Sequence, residues 1–164
     1  MKWLWLSALT IVLDQITKKI AEAELLLHTP VAIFPGFNLT LMYNKGAAFS
    51  FLSEAGGWQR IFFVTLSSLI SIFLFFWLKQ ITQDEKQKHN LVIQIAIAFI
   101  LGGAIGNLID RVRIGSVTDF LDFYVGRYHW PAFNVADSAV CVGVAFLLLS
   151  TIIAAKREKC DAAS

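Results

Sequence analysis

The sequence predicts an all-α membrane protein with four transmembrane helices and a small β-rich extracytoplasmic element on the membrane surface. Of its 164 residues, 57% are hydrophobic and only 16% are charged, whereas about a quarter of the residues of an average soluble domain are charged. A soluble chain this short could not bury so much apolar surface in one core. Three uncharged stretches also approach the length of about 20 residues that a helix needs to cross the hydrocarbon layer.

Those uncharged stretches place three spans at residues 61–78, 91–109 and 138–155. Together with a first span nearer the N-terminus they make four, so both chain ends should lie on the same side of the membrane. The whole chain, residues 1–164, is predicted to be a single polytopic membrane domain.

The first predicted span, residues 3–23, is unusual because it contains Asp14, Lys18 and Lys19. An ionisable group is costly in lipid, so we expect Asp14 to face a polar interior. The same charges interrupt a segment that would stay apolar in a cleaved signal peptide. We therefore predict a retained helix.

The orientation follows from the density of positive charge rather than from its total, because seven lysines and arginines fall on each side. The densest groups lie between the second and third spans and after the fourth: Lys79, Lys86, Lys88, Lys156, Arg157 and Lys159. Positive charge accumulates on the cytoplasmic side of membrane proteins. Both termini are therefore predicted to be cytoplasmic, and residues 24–57 and 111–134 extracytoplasmic.

The two outer segments differ in character. In residues 24–57, Pro35-Gly36 is a turn signal, and residues 37–43 alternate loosely enough to form a strand. Residues 111–134 are rich in aromatic side chains of the kind that lie at headgroup depth. We expect a small sheet-like element in the first segment, lying on the membrane.

With this topology, most of the unusual polar residues gather at the outer membrane face: Asp14, Lys18, Asn44, Lys45, Asn107, Asp110, Arg111, Asp119 and Asp137. Asn107 and Arg111 share a helix face, and their simpler interpretation is a hydrogen-bonded pair at a helix interface. Gly102 and Gly106 form a small-residue pattern that favours close helix packing.

Asp119 and Asp137 are the candidate catalytic residues. Two carboxyl groups that share a site cannot both ionise easily, so one keeps its proton. The ionised one can then accept a proton from water while the other polarises a carbonyl, as in aspartic proteases. The alternative for Asp137 is a helix cap, which leaves Asp119 unexplained.

Other chemistries have weaker support. Ser138 has no histidine base nearby in the sequence, and Asp119, Asp122 and His129 lack the spacing of a known metal motif. Cys141, one turn into an apolar helix, is interpreted as a packing residue. A net charge of +2 without a basic stripe argues against nucleic acid as a partner.

Two other functional classes remain as alternatives. In a proton- or ion-coupled transporter the membrane carboxylates would carry protons, but such sites lie near the bilayer midplane and within repeats. In a purely structural partner protein the polar cluster would have no purpose.

Five sequence blocks carry a resemblance to a known family: DQITK at 14–18, NKGAAF at 44–49, GGAIGNLIDR at 102–111, VTDF at 117–120 and FNVADS at 133–138. In these blocks and in their order the chain resembles the bacterial lipoprotein signal peptidases, the signal peptidase II family. Such enzymes remove the signal peptide of diacylglyceryl-modified prolipoproteins just before the lipidated cysteine, and the cyclic peptide globomycin inhibits them.

The resemblance implies roles for particular residues. It assigns catalysis to Asp119 and Asp137, and assigns substrate binding or support of the dyad to Asp14, Lys18, Asn44, Gly46, Asn107, Arg111, Asn134 and Ala136. It implies no metal and no organic cofactor. We further expect a monomer in the bacterial plasma (inner) membrane, in contact with membrane lipid, with its active site at the outer leaflet.

Overall fold

The structure is a computed structural model that describes residues 3–46, 58–85, 87 and 90–161, with side chains described as far as residue 153. Its helices are α1 (Leu4–Glu24), α2 (Trp58–Gln83), α3 (Leu91–Arg113) and α4 (Val135–Asp161). Its strands are β1 (Val31–Phe34), β2 (Phe37–Asn44), β3 (Val117–Val125) and β4 (Tyr128–His129). The structure is therefore mostly helical with one small antiparallel sheet, as the sequence predicts.

Three of the described helices are long and apolar enough to cross a membrane: α2, α3 and Val135–Ile153 of α4. Large apolar side chains on α2 are exposed, with Ile61 at 72% and Phe73 at 62%. Continuous apolar surface of this kind is unfavourable in water, so it indicates contact with lipid. α1 differs from the other three helices because Asp14, Lys18 and Lys19 lie within it.

One face of α1 is buried against α3. The buried residues of α1 recur at every third or fourth position, which places them on one side of a helix: Ser7, Thr10, Asp14, Lys18 and Ala21. A β-carbon added at Gly102 of α3 would lie 2.8 Å from Thr10 Cβ, and one at Gly106 would lie 2.6 Å from Asp14 Oδ2. Glycine at both positions therefore permits the close approach of the two helices.

The four strands form one antiparallel sheet in the order β1-β2-β3-β4. The turn between β1 and β2 contains Gly36, whose φ of +93° suits glycine. The strand predicted at residues 37–43 is present as part of β2. β2 pairs with β3 so that Met42 lies opposite Asp119 and Asn44 opposite Val117.

Residues 111–134 are where the sequence prediction was incomplete. This part of the chain was expected to be an aromatic interfacial segment, but it forms β3, the longest strand, and β4. Successive residues from Val117 to Phe120 are all buried, because α1 covers one face of the strand and the other faces the interior. A strand buried on both faces shows no apolar–polar alternation, which explains why the pattern did not reveal it.

Candidate active site

A cavity of about 600 Å³ lies where α3 ends, α4 begins and the sheet approaches them. Asp119 and Asp137 both line it, together with Asn44 and Arg111. Apolar and aromatic side chains form much of the remaining wall: Met42, Val117, Trp130, Phe133 and Val140. The two predicted catalytic residues therefore face one common space.

Asp137 is held by the start of α4. The Asn134 side-chain oxygen accepts a hydrogen bond from the Asp137 backbone N–H at 2.9 Å, and Asp137 Oδ2 accepts one from the Asn134 backbone N–H at 3.3 Å. This is a reciprocal capping arrangement, in which each side chain satisfies the other residue's backbone donor. Asn134 is therefore the cap of α4 and Asp137 is its partner in the first turn, which does not prevent Asp137 from lining the cavity.

Asp119 is held by β3. Its side chain is 3% exposed, and its Oδ1 accepts a hydrogen bond of 2.7 Å from Asn134 Nδ2. Asn44, on the neighbouring strand β2, donates a second side-chain hydrogen bond to Asp119. Asn134 therefore contacts both carboxyl groups, Asp119 with its side-chain amide and Asp137 with its backbone.

Asn107 on α3 completes the link between the aspartates. Its Nδ2 donates to Asp137 Oδ1 at 2.7 Å, and its Oδ1 accepts from Asn134 Nδ2 at 3.2 Å. The two asparagine amides thus join Asp119 to Asp137 through a continuous set of hydrogen bonds. Because both amides have other fixed partners, they restrict the orientation of both carboxyl groups.

Lys18, a buried residue of α1, contacts Asn107 and two further carboxyl groups. Its side chain is 1% exposed and its ammonium group lies 2.8 Å from Asp14 Oδ2 and 2.8 Å from Asp110 Oδ2. It also donates to Asn107 Oδ1 at 2.9 Å. All three ammonium donors therefore have an acceptor, which is the condition for burying such a charge.

Asp14 joins α1 to the start of α4. Its Oδ1 accepts a hydrogen bond of 2.9 Å from the backbone N–H of Ala136, which is fully buried beside it. The first N–H groups of a helix have no partner within the helix, so Asp14 satisfies one of them. A β-carbon added at Gly103 would contact the Ala136 carbonyl oxygen, which shows how closely α3 approaches α4 here.

Arg111 connects the cavity to the end of β2. Its guanidinium group donates to the Gly46 carbonyl oxygen at 3.3 Å and lies 5.2 Å from the centre of the Phe63 ring. The Gly46 backbone N–H in turn donates to Asn44 Oδ1 at 3.0 Å. The rest of the second sequence block, Ala47-Ala48-Phe49, lies outside the described residues.

Burial gives Asp119 an altered proton affinity. The pKa of its carboxyl group is raised from 3.8 to about 7, first because burial disfavours the charged form and second because the charge of Asp137 is close. Hydrogen bonds from Asn134 and Asn44 and the charge of Lys18 oppose this increase. Asp119 therefore retains its proton up to near-neutral pH.

The structure separates Asp122 from this site. Burial would raise the pKa of Asp122, but hydrogen bonds from His129, Thr40 and Asn38 outweigh it and lower the pKa. Asp122 Oδ1 lies 2.8 Å from His129 Nδ1, whereas Asp119 contacts Asn134. The three residues considered as a metal motif, Asp119, Asp122 and His129, therefore do not converge within the described residues.

The structure corrects one interpretation and adds residues that the sequence patterns did not single out. Cys141, interpreted as a packing residue, is exposed and lines the cavity.

Two further polar residues belong to the site. Gln15 Nε2 donates to Asp110 Oδ1 at 3.0 Å, and Thr118 is fully buried beside Asp119. Gln15 and Thr118 both fall within the quoted blocks, but ordinary polar residues give no separate signal of a supporting role.

Comparison with known proteins gives consistent matches over most of the chain. Residues 6–153 match the family model described as Signal peptidase (SPase) II. The chain is 52% identical over 156 residues to the lipoprotein signal peptidase of Acinetobacter baumannii, an alignment that covers 95% of this chain and 86% of that protein. It is 48% identical over 151 residues to the lipoprotein signal peptidase of Coxiella burnetii, with 92% and 90% covered.

A solved structure supports the similarity of fold. It is described as a bacterial membrane enzyme determined by the in meso method at 2.3 Å resolution, and it superposes on this chain with a TM-score of 0.79. The two chains are 31% identical, with 92% of this chain and 87% of the other covered. The helical bundle and sheet described above are therefore similar to those of an experimentally determined membrane protein.

Proposed function

Since the chain belongs to the signal peptidase II family, we propose that it is an aspartic endopeptidase that removes the signal peptide from diacylglyceryl-modified prolipoproteins just before the lipidated cysteine. One observation carries the aspartic mechanism: Asp119 and Asp137 line the same cavity and both accept hydrogen bonds from Asn134. General acid–base hydrolysis of a peptide requires two carboxyl groups that line the same cavity, one to accept a proton and one to donate one.

Asp119 is the proton-bearing member of the dyad at the start of the reaction. Its pKa of about 7, raised by burial and by the charge of Asp137, favours the neutral carboxyl group. Asp137 is the ionised member. It lies in the first turn of α4, where the helix dipole favours an anion, and Asn107 donates to it.

The reaction proceeds without a covalent enzyme intermediate. Asp137 accepts a proton from water, whose oxygen attacks the scissile carbonyl carbon, while Asp119 gives its proton to the carbonyl oxygen. In the second step Asp137 gives its proton to the leaving nitrogen and the C–N bond breaks. Asp119 recovers a proton from a hydroxyl of the tetrahedral intermediate, which restores the starting protonation state of the dyad.

The other predicted site residues support these two. Asn107 and Asn134 orient the carboxyl groups, Lys18 and Asp14 fix α1 against α3 and α4, and Ala136 leaves room for their approach. Arg111 and Asn44 line the cavity near the end of β2, and Gly46 is hydrogen-bonded to both. These three residues can bind the substrate backbone. In this scheme the carboxyl groups carry every proton transfer, and we propose no metal and no organic cofactor.

The wall of the cavity suits a lipidated peptide. Apolar side chains such as Val140 and Trp130 lie beside the aspartates, and lipid-facing surface continues along α4, where Leu148 is 61% exposed. Each buried methylene of an acyl chain contributes about 0.8 kcal/mol. The acyl chains of the substrate can therefore supply the binding energy that fixes the depth of the scissile bond.

We also propose the membrane topology that the sequence predicts. α1 is a fourth span in which Asp14 and Lys18 face α3 and α4 rather than lipid. Both termini are then cytoplasmic, residues 1–164 form one multi-pass domain in the bacterial plasma membrane, and the site lies at the outer leaflet. We also propose that the protein acts as a monomer.

Purified protein incubated with a diacylglyceryl-modified precursor peptide tests the function. We expect cleavage before the lipidated cysteine, inhibition by globomycin, and little cleavage of the same peptide without lipid. Asp119→Asn and Asp137→Asn should each abolish cleavage while the variants still insert and fold. If either variant cleaves at near the wild-type rate, the aspartic mechanism is wrong.

A further inference from the structure

Thr118, next to Asp119 in β3, is fixed at each of its polar atoms. It is fully buried. Its backbone N–H donates to Asp110 Oδ2 at 3.2 Å, and its carbonyl oxygen accepts from Asn134 Nδ2 at 3.3 Å. Its hydroxyl donates to Glu22 Oε1 at 2.9 Å. Asp110 and Asn134 belong to the polar network around the two aspartates, whereas Glu22 contacts that network through Thr118.

Glu22 lies in the last turn of α1, at the end of the helix nearest the sheet. Its Oε1 also accepts a hydrogen bond of 2.7 Å from Arg113 on α3, and its side chain is 19% exposed. The contact from Lys19 is longer, 3.5 Å to Oε2, and Lys19 itself is 61% exposed. One carboxylate thus joins α1, α3 and β3 immediately beside the strand position of Asp119.

Successive side chains of a strand point to opposite faces, so a strand fixed on one face cannot rotate freely on the other. The Thr118 hydroxyl lies on the face that meets α1, and the Asp119 carboxyl group lies on the cavity face. A small rotation of β3 about its axis would move the Asp119 carboxyl group away from Asn134. Misplacement of about 1 Å in a catalytic group can reduce a rate by about 100-fold.

We propose that Glu22 is a positioning residue for the catalytic carboxyl group, acting through the hydroxyl of Thr118 on the orientation of Asp119. This role rests on the peptidase function proposed above. Within the described residues, neither Glu22 nor Thr118 lines the cavity. Changes at either position should therefore alter the rate of the chemical step rather than the binding of substrate.

The test compares pairs of variants that keep or remove the hydrogen bond. Thr118→Val is nearly isosteric and removes the hydroxyl, whereas Thr118→Ser keeps it. Glu22→Leu removes the acceptor, whereas Glu22→Gln keeps an oxygen that can accept. Lys19→Gln is the matched control, because it removes the longer contact to the same glutamate and leaves the Thr118 bond intact.

We expect Thr118→Val and Glu22→Leu each to lower kcat by about ten- to hundredfold, up to the loss expected when a catalytic group is misplaced by about 1 Å, with KM unchanged. The double variant should lose no more than the worse single variant, because both changes break the same bond. The alkaline limb of the pH profile should move in both, since the contact between Asn134 and Asp119 changes. Thr118→Ser, Glu22→Gln and Lys19→Gln should retain wild-type kcat.

Two results would overturn the role of Glu22 while leaving the dyad in place: wild-type kcat and pH profile in Thr118→Val, or losses that multiply in the double variant. In both cases Asp119→Asn, measured in parallel, would still be inactive. An active Asp119→Asn would overturn the dyad and the positioning role together. Thermal midpoints of all variants show whether a lower kcat reflects loss of folded protein.

Discussion

Asn134 Nδ2 lies 2.7 Å from Asp119 Oδ1, while the oxygen of the same amide caps the first turn of α4. One side chain thus orients one of the two carboxyl groups that we propose to be catalytic and begins the helix that carries the other. Serine is also a good helix cap, but it has no amide to reach Asp119. Asn134→Ser therefore separates the two roles.

We expect Asn134→Ser to lower kcat by about ten- to hundredfold, because the carboxylate that is left when Asp119 gives up its proton loses a hydrogen bond. The amide favours the ionised form of Asp119, so its loss should raise the pKa of that carboxyl group above about 7. The alkaline limb of the kcat/KM profile should then move to higher pH. Wild-type kcat with an unmoved limb would contradict the assigned role of the amide.

Lys18 and Lys19 are adjacent in α1 but differ in burial. The Lys18 side chain is 1% exposed and contacts Asp14 and Asp110, whereas that of Lys19 is 61% exposed. Lys18→Met leaves two buried carboxylates without their cation, so we expect unfolding to become easier by about 3–5 kcal/mol. Lys19→Met is the control and should change stability by less than about 1 kcal/mol. Unfolding in detergent, followed by tryptophan fluorescence, measures both.

The same reasoning predicts a compensating change for Lys18. In the double variant Lys18→Met/Asp110→Asn, one of the two unpaired carboxylates becomes neutral, so part of the lost stability should return. Equal stabilities of the Lys18→Met and Lys19→Met variants would show that the buried ion pairs do not contribute as the geometry indicates.

Titration of Asp119 should limit activity on the alkaline side. In the proposed mechanism Asp119 donates a proton in the first step, and its pKa is about 7, so activity should fall as pH rises through that region. The observed value belongs to the coupled dyad rather than to one residue. A kcat/KM profile that stays flat between pH 6 and about pH 9 would contradict the assignment of the proton to Asp119.

The raised pKa of Asp119 also predicts that the folded state becomes less stable as pH rises. In the unfolded chain this carboxyl group ionises near 3.8, but in the fold it ionises near 7, so the fold loses stability as pH rises between these values. Asn carries no charge at any pH, so Asp119→Asn should be inactive yet more stable than wild type above pH 7, by up to about 4 kcal/mol. Below about pH 4 the difference should vanish. Thermal midpoints at pH 4, 6 and 8 provide the measurement.

The helices were predictable because lipid imposes a simple rule on composition. Uncharged stretches of about 20 residues can be recognised without knowing their neighbours, and the charges of Asp14 and Lys18 predicted a polar interior, where each now has a partner. β2 was also recognisable, since Pro35-Gly36 precedes an alternating segment.

β3 and the supporting contacts were not predictable, because each depends on residues far apart in the sequence. Thr118 contacts Glu22 across 96 positions of the chain, and Ala136 contacts Asp14 across 122. Nothing local marks a threonine or a glutamate as part of such a set. Cys141 shows the same limit: its place in an apolar helix suggested packing, and only the fold shows that it lines the cavity.

Gly106 and Gly143 permit a test that separates helix packing from the geometry of the site. An alanine β-carbon would lie 2.6 Å from Asp14 Oδ2 at Gly106 and 2.6 Å from the Ala96 carbonyl oxygen at Gly143. Both substitutions overpack a helix contact, so each should lower stability by about 1–3 kcal/mol. Only Gly106→Ala should also lower kcat, because it displaces the carboxylate that binds Lys18 and the Ala136 N–H. Equal losses of kcat in the two variants, each corrected for folded protein, would mean that Asp14 does not support the dyad.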